Sequence, residues 1–75
     1  MRYDFEKFDA SVSQVEHLID EWIFSERDRK ILKRKILDGL TYEKVAEEFD
    51  LSVPHVKTIV YRGENIVFKR LWKNK

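Results

Sequence analysis

The sequence predicts an all-α fold, a small bundle of four main helices, on three observations. Apolar residues recur at steps of three and four, the spacing of one helix face. Serine or threonine stands near the start of each such run, as helix-capping residues do. Two glycines and one proline in 75 residues, with no repeat and no low-complexity stretch, leave no linker, so the chain reads as one domain.

Residues 1–11, with Tyr3, Phe5 and Phe8, read as an N-terminal arm that packs aromatics on the bundle. Val12, Val15, Leu18, Ile19, Trp22 and Ile23 mark helix one over 12–23, and Ser13 with Glu16 offers an S-x-x-E capping box. Ser25 opens helix two, 26–38, with acidic residues in its first turn, Ile31, Leu32, Ile36 and Leu37 on its apolar face, and Gly39 as a left-handed stop. Thr41 caps a short third helix carrying Val45, Ala46 and Phe49 on one face. That helix ends near Asp50, because Ser52 is the next capping candidate. The fourth helix starts at Val53 and runs through Val56, Ile59, Val60, Ile66, Val67 and Leu71, with residues 61–75 as its extension and a basic tail. Gly63 lies in its middle at a cost of about 1 kcal/mol relative to alanine. The reading is a continuous helix whose missing side chain lets another helix approach; a break at Gly63 is the alternative.

The net charge of +1 conceals a gradient: residues 1–26 hold two basic and seven acidic side chains, 27–50 seven and six, and 51–75 six and one. A basic C-terminal third points to a local anionic partner. With no cysteine, disulfides and thiolate chemistry are excluded, which suits a reducing cytosol. No apolar run approaches the ~20 residues that span a bilayer, and the N-terminus has no signal-peptide core. The chain is therefore read as complete and cytoplasmic, with no membrane partner. His17 and His55 are the only imidazoles and have no metal-ligand spacing, and neither a phosphate-cradling glycine loop nor a nucleophile elbow is present. The expectation is no enzyme, no metal and no cofactor.

Residues 41–60 have the pattern of a helix-turn-helix. Two short helices that cross steeply need a small residue where their backbones come nearest, here Ala46, and apolar residues to seal the corner, here Val45, Phe49, Leu51, Val56 and Ile59. The second helix then turns its other face outward, bearing Val53, Pro54, Lys57, Thr58 and Tyr61, toward a major groove about 12 Å wide.

The string Asp38-Gly-Leu-Thr-Tyr-Glu-Lys-Val-Ala-Glu-Glu-Phe-Asp-Leu-Ser52 resembles region 4 of bacterial sigma-70 factors, and the likeness covers residues 25 to 71. It is also similar to the C-terminal domain of LuxR-type regulators, where the Val56-Lys57-Thr58 step recurs. Both resemblances imply a four-helix unit that places the last helix of the motif in the DNA major groove. Two departures stand out. Val53 and Pro54 occupy the place of an Arg-Glu pair with which primary sigma factors read the −35 element. The 75 residues also leave no room for the region that opens the −10 element, so the chain is not a complete sigma factor.

Carried onto this sequence, Lys57 and Thr58 are the leading base or phosphate contacts. His55 and Arg62 flank them as backbone contacts, Tyr42 touches the DNA backbone, and Ser52 is an N-cap whose helix terminus can meet a phosphate. The run Arg27, Arg29, Lys30, Lys33, Arg34, Lys35 reads as a solvated face of helix two, or as partners for the acidic first helix. Ile66, Val67, Phe68, Leu71 and Trp72 exceed what one face buries, so helix one or a second copy covers them; Trp22, Ile23 and Phe24 pose the same question. The expected function is a sequence-specific transcriptional regulator that binds double-stranded DNA, as a homodimer or beside a second DNA-binding protein. One alternative is an interaction module that binds RNA polymerase or a sigma factor, since sigma region 4 docks the β subunit. Another is a DNA-binding accessory factor of a phage or mobile element.

Overall fold

A computed structural model describes the backbone of residues 12–73 and the side chains of 12–71. The expected N-terminal arm and the Trp72 side chain lie outside the described residues. Four helices follow in order: α1 (Val12–Trp22), α2 (Glu26–Leu32, continued by a π-helical turn over Lys33–Leu37), α3 (Tyr42–Phe49) and α4 (Val53–Lys73). No strand occurs among the described residues.

Three side-chain caps start helices where the sequence places them. Ser25 Oγ accepts from the Asp28 amide at 3.3 Å, Thr41 Oγ1 from Lys44 at 3.1 Å, and Ser52 Oγ from His55 at 3.3 Å. Each satisfies one of the amides a helix start leaves without a partner. The expected box at Ser13 is different. Ser13 already lies inside α1, which begins at Val12, and a residue in helical conformation is not an N-cap. At the other end of α1, Arg29 closes the helix from a distance: its guanidinium donates to the carbonyls of Ile23 at 2.8 Å and Phe24 at 3.2 Å.

Helix two departs from regular α geometry in its last turn. Asp38 N–H donates to the Lys33 carbonyl and Leu40 N–H to that of Arg34, so the closing bonds are wider than in an ordinary α-helical end. Gly39 at φ 73° ends the helix, as expected of a left-handed stop.

The core gathers Val15, Leu18 and Ile19 of α1, Ile31, Leu32 and Ile36 of α2, Val45 and Ala46 of α3, and Val56, Val60, Val67 and Leu71 of α4. Helix α4 is continuous through Gly63 and contacts all three other helices. A Cβ on Gly63 would lie 2.3 Å from Leu32 Cδ1, so the absent side chain is what lets α2 approach. Most of the apolar surplus near the C-terminus whose side chains are described is covered inside the same chain, the first of the two expected alternatives. Val67, Phe68 and Leu71 are buried, and only Ile66 is exposed.

Candidate nucleic-acid interface

The corner between α3 and α4 is built from backbone hydrogen bonds. Asp50 takes the left-handed conformation at φ 57°, ψ 47°. Its amide donates to Glu47, and that of Leu51 donates to Ala46 at 2.9 Å. This pair of bonds is the Schellman arrangement that usually has glycine at the left-handed place; Asp is among the few side-chain-bearing residues that adopt it readily. Val45, Ala46, Val56 and Ile59 are buried at the corner, while Phe49 and Leu51 are half-buried against the core. The turn leaves one side of the first turns of α4 facing away from the bundle.

Along that outward face stand Pro54, His55, Lys57, Thr58, Tyr61 and Arg62, all exposed. Val53 does not join them, which corrects its place in the expected face: it is half-covered and packs against the core. Ser52 is exposed and occupied as the cap. The Thr58 hydroxyl donates to the Pro54 carbonyl at 3.1 Å. A hydroxyl whose proton is so placed presents its lone pairs outward, as an acceptor. Tyr42, at the start of α3, is half-buried, and its ring meets that of Tyr61 edge-on at 6.2 Å between centroids. The Lys57 ammonium stands 5.5 Å from the centre of the Tyr42 ring, so α3 and α4 present one joined surface.

Two further residues on the same side of α4 were not singled out in the sequence. Asn65 and Lys69 are exposed, one and two turns beyond Tyr61 and Arg62. The signal that finds them is helical spacing, i to i+4 from Tyr61 to Asn65 and again to Lys69.

The cations of α2 and α4 are used differently. On α2, Arg27 pairs with Asp28, Lys30 with Glu26, Lys33 with Asp20 of α1 at 2.8 Å, and Arg34 with both Asp38 and Glu48 of α3. The Asp38 hydrogen bond and the Glu48 charge push the Arg34 guanidinium still further above its ordinary pKa. Most of the basic run of α2 is thus tied to carboxylates of its own chain. On α4, Lys57, Arg62 and Lys69 make no ion pair among the described residues, and the one carboxylate of the helix, Glu64, is buried on the inner side. The exposed face of α4 therefore carries positive charge without a neutralising acid. At about 1.5 Å per residue the helix is ~31 Å long, enough to lie across a groove about 12 Å wide with its N-terminal half inside.

The model of the family Sigma-70, region 4 matches residues 25–65. The chain belongs to the sigma-70 region 4 family. The matched span runs from the cap of α2 through α3 to the middle of α4, and so contains the whole corner and the outward face as far as Asn65. Neither the curated proteins nor the solved structures compared with the chain gave a match. Sigma-70 region 4 domains are of a DNA-binding kind that serves transcription, and at that level the role of the chain follows from its family. Among the described residues no helix is long and apolar enough to cross a membrane, and no group of three His, Cys, Asp or Glu side chains is placed to hold a metal ion.

Proposed function

We propose that this sigma-70 region 4 domain is a sequence-specific transcriptional regulator, acting in the cytoplasm, that reads double-stranded DNA with the N-terminal half of α4. The observation that carries the reading is the acid-free face of Lys57, Thr58, Tyr61 and Arg62 beyond the Asp50 turn. Lys57 and Arg62 supply charge for phosphates, and Thr58 presents an acceptor to the amino groups of adenine or cytosine. The LuxR-like Val56-Lys57-Thr58 step belongs to the same reading. With one such helix per chain, a distinctive site requires two chains on repeated half-sites or a second DNA-binding protein. The test is selection of bound duplexes from a random pool, followed by electrophoretic shift with Lys57→Ala and Thr58→Ala. A recovered motif whose binding weakens in both variants supports the proposal; no enrichment, or no effect of either change, overturns it.

A second reading, an interaction module for RNA polymerase or a sigma factor, is favoured by a groove beside Gly63. Trp22, Ile23, Leu32, Ile59 and Ile66 line it together with Arg62 of the outward face, and Phe24, also in its lining, has 86% of its surface exposed. Co-sedimentation with polymerase that is lost in Phe24→Ser, with DNA binding unchanged, selects this reading.

A further inference from the structure

Lys35 differs from every other cation of α2. Only 7% of its surface is exposed, yet its ammonium has no carboxylate partner among the described residues. What it faces is the ring of Tyr42, 4.6 Å from the centroid. Among the described residues no buried side-chain nitrogen lacks a partner, so the stem of Lys35 is covered while its ammonium reaches the surface beside the ring. The π-helical turn over Lys33–Leu37 contains Lys35, so the irregular turn and the covered lysine occur together. Lys57 reaches the same ring from α4, 5.5 Å from its centre. Two ammonium groups from different helices thus converge on one tyrosine, neither paired with an acid among the described residues, at the edge of the face proposed to meet DNA. An anion at this edge would meet two ammonium groups that have no acid of their own among the described residues.

We propose that Lys35, Tyr42 and Lys57 form the seat of one DNA backbone phosphate, with Lys35 reaching it from α2 beside the tyrosine ring and Lys57 from the recognition helix. This rests on the DNA-binding reading above. The seat fixes the register of α4 in the groove without reading a base, as phosphate contacts do. It also gives the basic run of α2 a second use: Lys33 and Arg34 tie the helix to α1 and α3, and this one serves the ligand.

The experiment measures duplex affinity of the full chain against salt concentration for wild type, Lys35→Met, Lys57→Met, the double variant of these two, and Lys30→Met. Losing one phosphate contact lowers the log–log salt slope by about 0.9. Because the two lysines share one phosphate, Lys35→Met and Lys57→Met are each expected to lower the slope by part of that amount and the double variant by about 0.9 in all, on preferred and random duplexes alike. Lys30→Met, whose lysine pairs with Glu26 on α2, is expected to keep the wild-type slope. An unchanged slope in Lys35→Met, or an equal loss in Lys30→Met, overturns the seat while leaving DNA binding standing. Wild-type chain that binds no duplex overturns both. Should Lys35→Met fail to fold, the Lys35 ε-methylene resonances of the wild type are followed during titration with a 20-base-pair duplex. A shift that saturates with binding supports the seat, and resonances that stay fixed while the α4 amides move refute it.

Discussion

Replacing Gly63 by alanine sets two effects of opposite sign against each other. Helix propensity alone favours the change by about 1 kcal/mol. The new Cβ, however, would lie 2.3 Å from Leu32 Cδ1, 2.6 Å from Cδ2 and 2.8 Å from Cγ. Carbon atoms rest at roughly 3.5–4.0 Å, so the whole end of Leu32 must move by about an ångström or more. Leu32 is 0% exposed and enclosed by the core. Overpacking costs about 1–3 kcal/mol, and an overlap with three atoms of one enclosed side chain belongs near the upper end. The net expectation is a loss of about 2 kcal/mol, or a fall of about 8–16 °C in Tm at about 4–8 °C per kcal/mol for a domain of this size. Thermal and urea unfolding followed by circular dichroism measure it. The cause is tested in a Leu32→Ala background, itself about 2–5 kcal/mol less stable. There the methyl introduced at position 63 enters the space Leu32 has left, and Gly63→Ala becomes neutral or stabilising, giving a coupling energy of about 2 kcal/mol or more. A rise in Tm on Gly63→Ala in the wild-type background would refute the close approach of α2 and α4.

Further predictions concern the corners and the face. Asp50→Gly relieves a left-handed conformation that costs most side chains about 1–2 kcal/mol and Asp less, so unfolding should move up by about 0.5–1 kcal/mol with the α4 face unaltered. Ser52→Ala removes the cap of α4 and should cost about 1 kcal/mol, read as a lower urea midpoint at constant m. Arg29→Met leaves the Ile23 and Phe24 carbonyls without their cationic donor; a loss of about 1.5–3 kcal/mol is expected, with faster amide exchange in the last turn of α1. Thr58→Val removes a hydroxyl but no charge. It should reduce discrimination between selected and random duplexes while leaving the salt slope as it was.

The readable and unreadable parts of this protein divide along a physical line. Ser25, Thr41 and Ser52 act within three residues of themselves, and Gly39 acts on its own backbone angle; such local chemistry is visible in sequence. Gly63 was legible for another reason: on an apolar face, a missing side chain has meaning only as room for a neighbour. The wide last turn of α2 was not, because Ile31, Leu32, Ile36 and Leu37 satisfy α and π spacing almost equally. Nor were the destinations of the α2 cations. Lys33 meets Asp20, Arg34 meets Glu48 and Lys35 comes beside the Tyr42 ring only once α1 and α3 are in place. The burial of Val67, Phe68 and Leu71 likewise depends on how far α4 is embraced by its neighbours, which spacing along one helix does not encode. On the candidate face, Thr58 and Arg62 followed from the motif, whereas Asn65 and Lys69 lie beyond the motif's end and are found by carrying its helical spacing through the continuous α4.

The central claim is that the outward face of α4 meets DNA, and a map of amide shifts on titration with a selected duplex tests it most directly. The account predicts the largest changes at His55, Lys57, Thr58, Tyr61 and the start of α3 at Tyr42, with Phe24 and Ile66 undisturbed; Arg62, which borders both surfaces, does not discriminate. Changes centred on Phe24, Ile66 and the groove beside Gly63, with the α4 face silent, would contradict it.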